Sequence, residues 1–130
     1  MKKAIKITLG IVLGLVIIIA IGFSYVYWQY NRALVTVQNN SGEQITNAEI
    51  LLAFTNPGEG ISIGTMANGR EKTIKMHLKG ENSVRLFYKD SLNKSHISNG
   101  EYMEGRGGYH IFFIINKSHK IEMKTSLFPH

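Results

Sequence analysis

Hydrophobic and polar positions follow two different rhythms along this chain. From Ile7 to Trp28 the residues run I-T-L-G-I-V-L-G-L-V-I-I-I-A-I-G-F-S-Y-V-Y-W, 22 positions without a charge. From Leu34 onward apolar residues alternate with polar ones, the period of a half-buried strand. The first rhythm predicts one helix. At about 1.5 Å per residue it reaches roughly 33 Å, enough to cross a hydrocarbon core of about 30 Å. A helix also satisfies its own backbone where lipid offers no hydrogen-bond partner.

The second rhythm predicts strands separated by turn residues. Leu34–Gln38 sets Val35 and Val37 on one face and ends at Asn39-Asn40-Ser41-Gly42. Gln44–Phe54 sets Ala48, Ile50, Leu52 and Phe54 on one face, and Asn56-Pro57-Gly58 with Gly60 breaks it. Ile61–Met66 is a short strand, followed by Asn68-Gly69, a hairpin turn pair. Glu71–Lys79 turns Ile74, Met76 and Leu78 inward, and Val84–Asp90 does the same with Val84, Leu86 and Tyr88. After the polar loop Ser91–Ser95 come two short candidates, Ser95–Ser98 and Glu101–Glu104, and the loop Gly105-Arg106-Gly107-Gly108. Tyr109–Asn116 is apolar on both faces, which predicts a central, covered strand. Asn116–Lys120 turns the chain and Lys120–Leu127 returns, alternating again. Seven to nine short strands at regular spacing predict an all-β, antiparallel two-sheet sandwich behind one N-terminal transmembrane helix.

The faces suggest one register. If Glu71–Lys79 and Val84–Asp90 form a hairpin around Gly80-Glu81-Asn82, Leu78 pairs with Val84, Met76 with Leu86 and Ile74 with Tyr88. The outward side then becomes a basic ribbon of Lys75, His77, Lys79, Arg85 and Lys89 around an exposed Phe87. A Greek key, with the two strands in different sheets, is the alternative.

The stretch Ile63-Gly64-Thr65-Met66-Ala67-Asn68-Gly69-Arg70-Glu71-Lys72-Thr73-Ile74 and the opening Val35-Thr36-Val37-Gln38-Asn39-Asn40-Ser41-Gly42 resemble turn regions of immunoglobulin-like and fibronectin-type-III-like extracytoplasmic domains. The resemblance implies an immunoglobulin-like sandwich and no particular activity. The Cys…Trp…Cys core of true immunoglobulin domains is missing, since the chain has no cysteine.

Charge sets direction. Lys2, Lys3 and Lys6 flank the helix on one side, which predicts a cytoplasmic N-terminus over 1–6. Tyr25, Tyr27, Trp28 and Tyr30 flank the other, where amphipathic rings suit the headgroup layer. The expected division is therefore 1–6 inside, 7–28 in the membrane, 29–33 a tether, and 34–130 an extracytoplasmic domain in the periplasm or outside. The tether reaches about 17 Å when extended, which keeps the domain near the lipid surface. Ala20-Ile21-Gly22 is a small-x-small site, so a cleaved signal peptide is the competing reading. Lipid modification of a cysteine is excluded by composition. Gly10 and Gly14 have the G-x-x-x-G spacing of helix–helix contacts and are candidates for a weak homodimer. Beyond the anchor, twelve Lys/Arg oppose nine acidic residues, a net +3 with His neutral. That is too slight for a nucleic-acid binder. Without disulfides, stability must come from packing.

Candidate chemistry is sparse. His77, His96, His110, His119 and His130 show no H-x-H or H-x-x-x-H spacing, so no metal site is read from them. His110 with Glu101 and Glu104 is the trio that could converge. There is no G-x-S-x-G elbow, and the Gly105–Gly108 loop lacks the strand–Lys–helix setting of a phosphate cradle. No catalytic residue and no cofactor is expected. The better candidates are surfaces: the basic ribbon (Lys75, His77, Lys79, Arg85, Phe87, Lys89), and Phe112 with Ile114, apolar where a two-layer sheet meets water. The expected function is a membrane-anchored extracytoplasmic protein-binding or accessory module, an envelope complex subunit or a tethered inhibitor or immunity factor. The alternatives are a soluble binder released by signal cleavage and, third, a small enzyme.

Overall fold

The computed structural model describes residues 2–30, 32–78, 80, 82–103 and 108–127, without the side chains of residues 2, 29, 30 and 127. The chain divides after Tyr30 into a helical unit and a β unit. Helix α1 runs Lys2–Tyr30, and its Lys3–Trp28 portion is long and apolar enough to cross a membrane. Its large apolar side chains are exposed, and the Thr8 hydroxyl is satisfied within the helix by donating to the Ala4 carbonyl at 3.0 Å. The residues expected as a tether, Gln29–Ala33, are taken up by the end of α1 and the start of the first strand, with residue 31 outside the described residues.

The β unit holds strands β1 (Arg32–Asn39), β2 (Ile45–Leu51), β3 (Ile61–Met66), β4 (Glu71–His77), β5 (Asn82–Lys89), β6 (Ser95–Ile97), β7 (Glu101–Met103), β8 (Tyr109–Ile115) and β9 (Ile121–Leu127). They form two sheets. The first has the order β4-β1-β8-β9, and the second β3-β2-β5-β6 with β7 also on β5. Alternation places one apolar face of each sheet in a shared core. Ala33, Val35 and Val37 of β1 and Ile111, Phe113 and Ile115 of β8 meet Ile45, Ala48 and Ile50 of β2 and Val84, Leu86 and Tyr88 of β5. Tyr109–Ile115 is interior to its sheet, as its two apolar faces predict, with Phe112 and Ile114 half-buried on the outer side.

Pairing departs from expectation in three places. First, the β4–β5 hairpin does not form. Strand β4 pairs with β1, placing Ile74 opposite Val35 and Met76 opposite Ala33, while β5 pairs with β2, β6 and β7. Face agreement could not distinguish the two arrangements: apolar rows that match in a hairpin match equally well across a core between two sheets. Lys79 and Glu81 lie outside the described residues. Second, Asn68-Gly69 makes a turn, closed by Arg70 N–H on the Ala67 carbonyl at 3.2 Å, but it carries the chain from one sheet to the other. Third, the sheets are not wholly antiparallel, because β1 and β8 run parallel.

Asn39 explains where the chain can cross. It is fully buried, and its Nδ2 donates to the carbonyls of Glu43 (2.8 Å) and Met66 (3.0 Å). Its Oδ1 accepts from Ser41 N–H and hydroxyl, while its own carbonyl takes the Gly69 N–H at 2.6 Å. One amide side chain thus ties the top of the first sheet to the top of the second. Among the described residues, no buried side-chain polar atom lacks a hydrogen bond.

Two aromatic residues also exchange their expected places. Strand β2 stops at Leu51, so Phe54 is not inward: it is fully exposed in a loop at φ 66°. Phe87, expected on a wet face, is only 8% exposed. The cause is the 52–60 loop, which folds back over the outer side of the second sheet. The Glu49 carboxylate draws it down, accepting the Gly58 N–H at 2.6 Å and the Gly60 N–H at 3.2 Å. Gly60 is required for that approach, since a Cβ there would sit 2.7 Å from the Ile50 carbonyl oxygen.

Candidate functional site

The top of the β unit, where strands end far from the start of β1, is built from two sister loops. In the β5–β6 link, Asp90 Oδ1 accepts the N–H groups of Leu92 and Lys94, both at 2.9 Å, and Asn93 takes the left-handed backbone position at φ 62°. In the β8–β9 link, Asn116 Oδ1 accepts from Ser118 N–H (3.2 Å) and Lys120 N–H (3.0 Å), and His119 takes the left-handed position at φ 58°. Both are three-residue hairpin loops that need one residue at positive φ. Among non-glycine residues Asn, Asp and His are the ones enriched there. The β5–β6 loop meets the requirement with an amide, and the β8–β9 loop meets it with an imidazole.

That imidazole enters a polar cluster. His119 Nδ1 lies 3.1 Å from the Tyr88 hydroxyl, and its Nε2 lies 3.1 Å from Glu43 Oε1. His96, paired across the ladder from Tyr88, stacks on that ring with centroids 5.0 Å apart. It stacks equally on His119, with centroids 4.6 Å apart and planes 18° apart. His96 Nε2 is 2.8 Å from Asp90 Oδ2, the carboxylate oxygen not used in the loop cap. Glu43 accepts from the Ser91 hydroxyl and N–H. Asp90 is 7% exposed, and His96, His119 and Glu43 are 17%, 22% and 31% exposed.

The surroundings decide which groups are charged. The hydrogen bond from His96 holds the Asp90 carboxyl below its usual range; the Lys94 and Leu92 N–H groups assist, against the opposing effect of burial. The Ser91 hydroxyl, then its N–H, does the same for Glu43. Burial pushes the Tyr88 phenol far above its ordinary value, so it stays protonated and neutral. The ligand atoms of Asp90, His96 and His119 lie within 4.8 Å of one another. The chemistry open to such a set is proton exchange or coordination of a cation.

No sequence spacing brought these residues together. The expectation that the histidines hold no metal spacing is correct for the linear chain, but the β5–β6 hairpin and the β8–β9 turn converge on one end. The one local signal is the shared pattern Asp90-x-x-Asn93-Lys94 and Asn116-x-x-His119-Lys120.

The surface residues named from the sequence are divided between opposite sides. Lys75, His77, Phe112 and Ile114 share the outer face of the first sheet, where the registers also place Leu34 and Lys124. Arg85, Phe87 and Lys89 belong to the second sheet. There Arg85 Nη2 donates to the Thr55 carbonyl at 3.0 Å, and Phe87 and Lys89 line a groove with Glu49 and Pro57. The single ribbon is therefore not assembled, and Lys79 is outside the described residues. His110 is not joined to Glu101: its Nε2 lies 2.9 Å from the Thr36 hydroxyl, and Glu101 accepts from Thr125 at 3.1 Å, while Glu104 is outside the described residues. On the helix, Tyr25 and Trp28 are exposed neighbours with ring centroids 6.5 Å apart, and Tyr27 is exposed. The Tyr30 side chain is outside the described part.

No family model matches the chain, and no curated protein does. A solved structure, the NMR structure of a protein from Eubacterium rectale, is similar at a TM-score of 0.50 and 8% identity, over 75% of this chain and 90% of that one. At that identity the likeness concerns the fold alone.

Proposed function

We propose that this chain is a membrane-anchored binding module that works outside the cytoplasm, close to the lipid surface, on a protein held at the same membrane. An envelope complex subunit or a tethered inhibitor or immunity factor fits this design. The observation that carries the reading is the exposed apolar stretch Lys3–Trp28, continued almost at once by β1 from Arg32. So short a link keeps the β unit at the bilayer. Lysines behind the helix and aromatic rings ahead of it favour a cytoplasmic N-terminus. Phe54 and Tyr102, both exposed, lie at the end of the β unit from which β1 starts, and rings there suit a headgroup layer. The β unit itself is read as an immunoglobulin-like sandwich; two sheets around one core and repeated crossings between them support this.

For the partner, the outer face of the first sheet is the candidate: half-buried Leu34, Phe112 and Ile114 bordered by Lys75, His77 and Lys124, with Glu122 opposite Ile114. A photo-crosslinking residue at Ile114, in native membranes, is expected to capture a membrane-associated protein, while one at the covered Phe87 is not. Adducts to lipid alone from Ile114 would overturn the docking face. Protease added to spheroplasts is expected to digest the β unit, and its protection would overturn the orientation. The second reading, release as a soluble binder, is favoured by Ala20-Ile21-Gly22, and the mass of the mature chain decides it.

A further inference from the structure

We propose that Asp90, His96 and His119, with Glu43 beside them, form a binding site for a divalent transition-metal ion of the zinc class. The proposal is independent of the membrane reading. Three ligand atoms lie within 4.8 Å of one another, close enough to converge on one ion once the side chains rotate. Imidazole and carboxylate together form the donor set that zinc takes. Asp90 and His119 are each held at one side-chain atom by a neighbour, which leaves the other atom for the cluster. Two backbone N–H groups occupy Asp90 Oδ1 and leave Oδ2; the Tyr88 hydroxyl meets His119 Nδ1 and leaves Nε2. Such outer contacts are what orient metal ligands. Glu43 Oε1 lies beside this trio, 3.1 Å from His119 Nε2.

Two further features point the same way. His119 occupies the left-handed position that its sister loop gives to Asn93, so the closed turn fixes where the imidazole leaves the backbone. The ligands also come from both sheets, His119 from the first-sheet hairpin and Asp90 and His96 from the second, so an ion here would staple the sheets in a chain without disulfides. The ion takes the place of the proton between His96 Nε2 and Asp90 Oδ2. Because the two imidazoles are stacked, their lone pairs run alongside one another, and one ring must turn for both to face the ion.

The sister loops supply controls that preserve the fold. Asp90→Asn keeps the cap oxygen, as Asn116 does; His119→Asn keeps the left-handed residue, as Asn93 does. The full chain, in detergent micelles and stripped of metal with a chelator, is titrated calorimetrically with zinc chloride at pH 7.5. One ion per chain at micromolar affinity or tighter is expected, weakened at least tenfold in each variant. Histidine ring NMR signals of His96 and His119 are expected to lose their mutual stacking shifts on zinc addition. Failure of the wild-type chain to show saturable binding below millimolar zinc would overturn the proposal. So would undiminished affinity in the Asp90→Asn/His119→Asn double variant, which would put the ion on other histidines. A variant that loses its fold is replaced by Glu43→Gln/His96→Gln, read by the same titration.

Discussion

Single side chains decide how this β unit closes. Asn39 satisfies carbonyls at the end of β3 and in the β1–β2 link while its Oδ1 holds Ser41. Replacing it with Leu, close in volume, removes these hydrogen bonds from a buried site, and of the two carbonyls Glu43 keeps the Ser41 hydroxyl at 3.1 Å. A loss of about 3 kcal/mol is expected from unpaired groups of this kind, read as a lower midpoint in urea unfolding at unchanged slope. His119 presents a different case, because its backbone and its ring can be separated. His119→Asn and His119→Ala lose the same contacts to Tyr88 and Glu43, but only Ala resists φ 58°. Ala is expected to be the less stable of the two by about 1 kcal/mol. Equal stabilities in urea would mean that the loop relaxes out of the left-handed region.

At the scale of elements, the 52–60 loop is a strap whose fastening is Glu49. The carboxylate takes two N–H groups of the loop, and removing it as Glu49→Ala is expected to cost about 2 kcal/mol. Hydrogen exchange locates the effect: the Gly58 and Gly60 amides should lose protection while the core amides of β1 and β8 keep theirs. Uniform loss across both sheets would mean that the strap is not a separate unit. Elements are also where sequence reading succeeded and stopped. Ile61–Met66 was legible to the residue because Gly60 and Asn68-Gly69 bracket an alternating run. The inward faces of β4 and β5 were legible from alternation, but their partners were not, since period two assigns a face and says nothing about which edge is shared. Phe87 was misplaced for a related reason: a loop folding back over a sheet is invisible to a pattern read along the strand. The Asp90–His96–His119 cluster was illegible because its members come from different connections, and only the order of the strands brings them together.

For the β unit as a whole, the question is what resists separation of the two sheets at the top, where cross-links are lacking. Glu43 sits in the connection between the sheets and holds Ser91 of the second and His119 of the first. Asp90 holds His96 and its own loop. Both carboxyls are held below their ordinary values by these hydrogen bonds, so the folded chain binds fewer protons than the unfolded one in acid. Stability contributed this way is complete above the unfolded values, about 4, and is lost as pH falls through the lower folded values. The wild-type urea midpoint is therefore expected to be flat from about pH 7 to 5 and to drop steeply below about 4. In the Asp90→Asn/Glu43→Gln double variant that drop should be shallower, because neither position has a proton left to take up. The measurement is a series of urea titrations from pH 7 to pH 2.5 on both chains, followed by tyrosine fluorescence. Parallel curves would show that the acid response belongs to other carboxyls.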